Sequence, residues 1–166
     1  QFVFQGKTLD LSQADKTITI NVHSTVATSI LAKAAGGENA GADSATDANH
    51  TGSGWELLTF DFSSPKDNTA VASDSYTSLV FFPAWNNEGG TCINGCYSGS
   101  TGDSSPVITI YIDDVTGLAP KEVLEDFEGT APTLANFDGF GSSVVTANPT
   151  NASEKSLELI TSATAA

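Results

Sequence analysis

Basic residues are scarce in this chain, and long apolar runs are missing from it. Six Lys and Arg stand against 20 Asp and Glu in 166 residues, which gives a formal net charge of −14 at pH 7. Nucleic-acid binding needs a basic surface, so this balance argues against nucleic acid as a partner. No stretch approaches the roughly 20 consecutive apolar residues of a membrane-spanning helix, so we expect no membrane insertion.

Methionine is absent, cysteine occurs twice and charged residues make up only 16% of the chain. Thr, Ser, Gly, Asp and Asn dominate the polar positions instead, a bias that is common in secreted bacterial β proteins. A hydrophobic fraction of 39% is enough to build a sizeable core. The composition therefore predicts a folded extracellular or cell-surface domain that is secreted and of ordinary size.

Short segments of alternating polarity recur between clusters of Gly, Asn, Asp and Ser, and helical periodicity is hard to find. This pattern predicts an all-β sandwich. The clearest strand segments are 17–22, 56–62, 79–82 and 107–115, of which we expect the last three to be central strands. Weaker strand segments are 29–34, 123–127, 142–147 and 156–161.

Two segments, 36–54 and 84–105, are predicted to be long loops, which are often functional. The alternative for the first segment is an irregular edge strand within residues 40–51.

Three motifs, Trp55–Ser63, Tyr76–Phe82 and Ile110–Val115, follow one another in an order that resembles the calcium-containing jelly-roll carbohydrate-binding modules of secreted bacterial polysaccharide-degrading proteins. In that family a D-F-E-G segment opens the module. Here the matching segment, Asp126–Gly129, comes after the three motifs, so the order is cyclically shifted. The resemblance implies a jelly-roll β-sandwich of two antiparallel sheets.

The shifted order divides the chain into a body, residues 1–120, and an arm, residues 121–166, that supplies the opening segment of the module. The chain is then one period of a tandem array, a subunit whose arm completes the next copy, or a closed circular permutant. Residues 2–4 and 157–160 resemble unpaired edge strands, which need a partner. We therefore expect head-to-tail association with copies of the same chain.

Calcium is the cofactor that the resemblance implies, as a structural ion where the first and last strands of the module meet. Ca²⁺ binds carboxylate and carbonyl oxygens. The family's ligands map onto Asp113 and Glu128, with Asp114 and Asp126 as neighbouring alternatives. In the alternative interpretation, all four are solvated turn residues.

Sugar binding needs aromatic faces for stacking and polar groups to contact hydroxyls. The segment after residue 82 offers both, in Trp85, Asn86, Asn87 and Tyr97. Trp85 as a lid over the edge of the sandwich is the alternative, and we expect Trp55 to be packed rather than exposed.

Cys92 and Cys96 are predicted to form a local disulfide that stiffens one loop. The absence of further cysteines argues against zinc. Asn49 and Asn151 match the N-x-[ST] acceptor pattern and are candidate glycosylation sites in surface loops.

No catalytic motif is recognisable, because no acid, Ser or Cys lies in a known nucleophile or acid–base pattern. The sequence therefore predicts a non-catalytic, calcium-stabilised subunit or tandem repeat of a filament, appendage or adhesin array. The alternative is a carbohydrate-binding module of a secreted polysaccharide-degrading enzyme. Partners are then copies of the chain itself and polysaccharide.

Overall fold

The computed structural model describes residues 1–4, 6–85, 107–117, 123–129, 132–134 and 142–161. Within these ranges every regular element is a β-strand, which confirms the predicted all-β class. The strands are β1 (Phe2–Val3), β2 (Leu9–Asp10), β3 (Thr17–Ser24), β4 (Thr28–Gly37), β5 (Ser44–His50), β6 (Gly54–Asp61), β7 (Ser75–Pro83), β8 (Thr109–Thr116), β9 (Val123–Glu125), β10 (Thr133–Leu134), β11 (Ser142–Ala147) and β12 (Lys155–Ile160). This part of the chain holds no helix that could cross a bilayer.

In the described part of the chain, two six-stranded antiparallel sheets face each other as a β-sandwich. The first, sheet A, has the order β10-β1-β7-β4-β5, and β2 also pairs with β7. The second, sheet B, has the order β11-β12-β8-β3-β6, and β9 also pairs with β8. The core lies between the sheets.

Alternation along the strands determines which side chains enter the core. Ile18, Ile20 and Val22 of β3 are buried, as the sequence pattern predicts. The same holds for β6 and β8, whose inward residues are Leu58, Phe60, Ile110 and Ile112. Because side chains on a strand point to opposite faces in turn, the residues between them lie on the outer face of sheet B.

Two strand predictions need correction. Strand β6, predicted to be central, pairs only with β3 among the described residues and is an edge strand. Residues 36–54 are not one long loop, because they contain β5 at the edge of sheet A. The structure therefore agrees with the alternative, an edge strand within residues 40–51. The loop between β6 and β7 covers β5, because Lys66 N donates to Ala45 O and Thr69 Oγ1 accepts from Ala45 N. Backbone groups that would otherwise lie open at this edge are thereby satisfied.

The arm contributes strands to both sheets of this single chain. Strand β12 lies between β11 and β8, and β10 pairs with β1. Phe127 and Leu157 of the arm are 1% and 2% exposed in the same core as the body's residues. The arm is therefore part of the sandwich rather than a separate fold.

Both terminal segments have two neighbouring strands here. Strand β1 lies between β10 and β7, and β12 lies between β11 and β8. The expectation that residues 2–4 and 157–160 are unpaired edges is thus not met within this chain. The first and last strands also belong to different sheets and do not pair with each other.

Candidate functional site

A β-bulge in β8 places two neighbouring acids outside the core. The pairing of β3 with β8 shifts between Asn21↔Asp113 and Thr19↔Thr116, so β8 carries one extra residue. Asp114 accommodates the extra residue by adopting a left-handed backbone conformation with a φ of 46°. Because of this bulge, Ile112 and Val115 are both buried while the acids between them face outward.

The bulge brings acids of the body close to acids of the arm. Partial burial and, to a smaller extent, the like charges of Asp114, Glu128 and Glu154 together raise the pKa of Asp113 to about 6. We call these four residues the acidic cluster. Two members come from β8, and two come from the arm. Glu154 is the one member that the sequence did not indicate.

Several oxygens of the predicted calcium ligands already accept hydrogen bonds. Glu128 Oε1 accepts from Lys155 N, Asp126 Oδ1 accepts from Glu128 N, and Asp114 Oδ2 accepts from Asn21 Nδ2. The oxygen donors suit Ca²⁺ chemically. No three His, Cys, Asp or Glu side chains in the described ranges form a group arranged to hold a metal ion.

Trp85 packs against the outer side of sheet A. Its ring centroid lies 5.2 Å from that of Phe82, and it covers a small apolar cluster with Leu31, Ala45 and Val80. The other predicted sugar-binding residues, Asn86, Asn87 and Tyr97, and the predicted disulfide Cys92–Cys96 lie outside the described residues.

Three aromatic side chains lie side by side on the outer face of sheet B, and we call them the aromatic row. Trp55 of β6 is the register partner of His23 on β3, which is in turn the partner of Tyr111 on β8. Ring centroids are 5.4 Å apart for the first pair and 5.7 Å for the second, both edge-to-face. All three side chains are partly exposed. The row spans two strand spacings, about 10 Å.

Polar groups of the arm adjoin both ends of the aromatic row. Trp55 Nε1 donates to Thr150 Oγ1 at 2.8 Å. Tyr111 donates a hydrogen bond to Glu158 of β12, which raises the pKa of the Tyr111 hydroxyl. At the centre, burial lowers the pKa of His23. The row thus combines aromatic surface with hydrogen-bonding groups.

Sequence reasoning missed the aromatic row, although part of its signal was present. Alternation places His23 and Tyr111 opposite the buried residues of their strands, so each is expected to face outward. Which residues become neighbours depends on strand order and register, and these follow from pairings across the fold. Trp55, expected to be packed, lies partly exposed in this row.

His50 is buried, and its contacts give it a structural role. Its Nε2 lies 3.0 Å from the carbonyl oxygens of Val22 and Gly54, and its Nδ1 accepts from Gly52 N. Both ring nitrogens are therefore engaged by backbone groups that join the ends of β3, β5 and β6.

The two candidate glycosylation sites are both exposed. Asn49 lies on the edge strand β5 rather than in a loop, and Asn151 lies in the turn between β11 and β12. In that turn Asn151 Oδ1 accepts hydrogen bonds from Ser153 N and Ser153 Oγ.

No protein-family model matches the chain, and a search of curated proteins found no match. The proposed function therefore rests on the geometry of the acidic cluster and of the aromatic row.

Proposed function

We propose that the chain is a non-catalytic, extracellular carbohydrate-binding module whose ligand site is the outer face of sheet B. The observation that carries this proposal is the aromatic row, three partly exposed rings on adjacent strands. Rings on rigid strands keep a fixed spacing and lose little conformational entropy when a ligand stacks on them. Trp55, His23 and Tyr111 are the binding residues in this proposal.

The charge around the row favours a neutral polysaccharide. Glu158 touches Tyr111, and Asp113 follows two residues along β8 from Tyr111. A ligand with carboxylates would meet these acids and a protein of net charge −14. Like charges at a binding surface disfavour association, so uronic-acid polymers are poor ligands in this proposal.

Replacement of Trp55 tests the proposed site. We expect Trp55→Ala to weaken binding to a neutral polysaccharide by at least about tenfold, because a large stacking aromatic carries much of the binding energy of a site. Affinity electrophoresis in gels containing hydroxyethyl cellulose, xylan or glucomannan measures this loss directly.

Trp85→Phe is the matched control, because it keeps an aromatic ring against Phe82 while removing the other tryptophan. Loss of binding in Trp85→Phe with full binding in Trp55→Ala would move the ligand site to the segment that contains Asn86, Asn87 and Tyr97.

A second candidate function is head-to-tail assembly with copies of the same chain, as a subunit or tandem repeat of a filament, appendage or adhesin array. The supporting observation is that the arm contributes core residues such as Phe127 and Leu157 and whole strands to the sandwich. An arm donated by a neighbouring copy would make the same pairings. The body would otherwise expose the edge of β8.

We also propose that calcium binds at the acidic cluster and stabilises the docked arm. Asp113 and Asp114 belong to the body, and Glu128 and Glu154 belong to the arm. A divalent cation would neutralise like charges, which add to the effect of burial in raising the pKa of Asp113.

A further inference from the structure

The two ends of the aromatic row are held by residues of the arm. Trp55 and Tyr111 belong to the body, while their hydrogen-bond partners, Thr150 and Glu158, belong to the arm. The third ring, His23, lies between them on β3. The face thus contains aromatic rings from one part of the chain and polar partners from the other.

Thr150 is itself held in a defined orientation. Asn148, which is buried, accepts hydrogen bonds at its Oδ1 from Thr150 N and from Thr150 Oγ1, each at 3.0 Å. A hydroxyl has one donor hydrogen and two acceptor lone pairs. With its hydrogen directed to Asn148, the Thr150 hydroxyl presents lone pairs to Trp55 Nε1, which can only donate.

Glu158 is held by the sheet. It is the register partner of Tyr111 across the β12–β8 pairing. Its carboxylate therefore meets the Tyr111 hydroxyl from a neighbouring strand, and both groups lie on the outer face. A carboxylate partner gives a stronger hydrogen bond than a neutral acceptor does.

We propose that the arm completes the carbohydrate-binding face, with Thr150 and Glu158 as positioning residues that fix the orientations of Trp55 and Tyr111. This inference rests on the carbohydrate-binding function proposed above. Without the arm, the body would present Trp55 and Tyr111 without the residues that fix their orientations. If the arm of one copy docks on the body of another, the finished face belongs to two copies.

The test compares single substitutions in the full chain. Thr150→Val keeps the shape and removes the hydroxyl, and Glu158→Gln keeps the shape and removes the charge. We expect each to weaken binding to the polysaccharide that the unmodified chain binds in the hydroxyethyl cellulose, xylan and glucomannan series. The expected loss is roughly two- to tenfold, the effect of one hydrogen bond.

The matched controls make the same kinds of chemical change at other positions. Ser153→Ala removes a hydroxyl from the same turn, and Glu38→Gln removes an exposed carboxylate far from β12 in the sequence. Both are expected to bind like the unmodified chain. Thr150→Ser retains the hydroxyl and is expected to restore the binding that Thr150→Val loses.

A spectroscopic measurement separates positioning from general destabilisation. Glu158→Gln is expected to lower the pH at which one tyrosine ionises in an ultraviolet absorbance titration, because the carboxylate raises the pKa of Tyr111. Thr150→Val is expected to leave that titration unchanged and to alter the fluorescence of Trp55 in a Trp85→Phe background.

The outcomes distinguish this inference from the function on which it rests. If the folded, unmodified chain binds none of the three polysaccharides, the proposed function and this inference both fall. If the unmodified chain binds and Trp55→Ala does not, but Thr150→Val and Glu158→Gln bind like the unmodified chain, only this inference is overturned.

Discussion

Asp74 shows how one buried carboxylate organises a loop in this fold. It is 3% exposed and accepts hydrogen bonds from Asn39 N, Asn39 Nδ2, Gly41 N and Ser75 N. The Asn39 side chain, with the backbone N–H groups, lowers the pKa of Asp74 to about 2. Gly41 permits this approach, because a Cβ there would lie 2.4 Å from Asp74 Cβ.

The lowered pKa of Asp74 gives stability a defined pH dependence. A carboxylate with a pKa of about 2 in the folded chain and an ordinary pKa of 3.8 stabilises the protein above pH 3.8, and this contribution is lost as the pH falls toward 2. We expect Asp74→Asn to have a lower Tm than the unmodified chain at pH 7. The difference should shrink between pH 3.8 and pH 2.

Thermal unfolding followed by circular dichroism across this pH range measures the effect. Glu38→Gln, an exposed carboxylate change, is the control and should leave Tm nearly unchanged. An Asp74→Asn chain as stable as the unmodified chain at pH 7 would contradict the assigned role.

At the scale of single elements, β8 carries most of the functional geometry. It pairs with β3 along one edge and with β12 and β9 along the other. Its bulge turns Asp113 outward beside Asp114, and its outward Tyr111 completes the aromatic row. One strand therefore contributes to both proposed sites.

We predict that calcium reverses the effect of the substitution Asp113→Asn on Tm. Without calcium, an Asp whose pKa is raised to about 6 from 3.8 stabilises the fold below pH 3.8, and that contribution is lost as the pH rises through 6. Asp113→Asn should therefore raise Tm at pH 7 in EGTA. In calcium the order should reverse, because the variant loses a ligand.

Differential scanning fluorimetry in EGTA and in calcium tests this crossover. Free calcium at about 100 times its Kd adds about 2.7 kcal/mol to the free energy of unfolding, or roughly 5–10 °C in a domain of this size. Glu38→Gln should respond to calcium like the unmodified chain. A Tm that is identical in EGTA and in calcium would count against the metal site.

The sequence predicted the strands better than it predicted the site, for a physical reason. Alternation is local, so the inward faces of β3, β6 and β8 could be predicted from a few residues each. The bulge at Asp114 depends on a positive φ that no neighbouring residue demands. Likewise, Trp55 meets His23 only through the register of β3 with β6.

At the scale of the whole molecule, the arm closes the sandwich. Its strands lie beside β1 in sheet A and beside β8 in sheet B. Residues of the arm and of the body are thereby brought into one core, with Phe127 and Leu157 among them.

A disulfide trap determines which copy the arm completes. Thr109 and Ile160 are register partners between β8 and β12, so Thr109→Cys with Ile160→Cys should form a disulfide in a chain whose Cys92 and Cys96 are replaced by Ser. Oxidation followed by denaturing electrophoresis should give a monomer if the arm docks on its own body. Head-to-tail exchange should give a ladder of linked copies.

The control pair for the trap is Thr19→Cys with Thr59→Cys, which joins β3 and β6 inside the body. It should give a monomer in either case. A ladder from the control as well would mean that disulfides form by random collision between chains.

The most direct test of the central claim uses the two tryptophan indole N–H signals of the chain. In a ¹H–¹⁵N NMR titration with a soluble neutral oligosaccharide of cellulose, xylan or glucomannan, assigned with the Trp85→Phe variant, we expect the Trp55 signal to shift and the Trp85 signal to stay in place. A shift confined to Trp85, or no shift of either signal at saturating sugar, would contradict a carbohydrate-binding face built on Trp55, His23 and Tyr111.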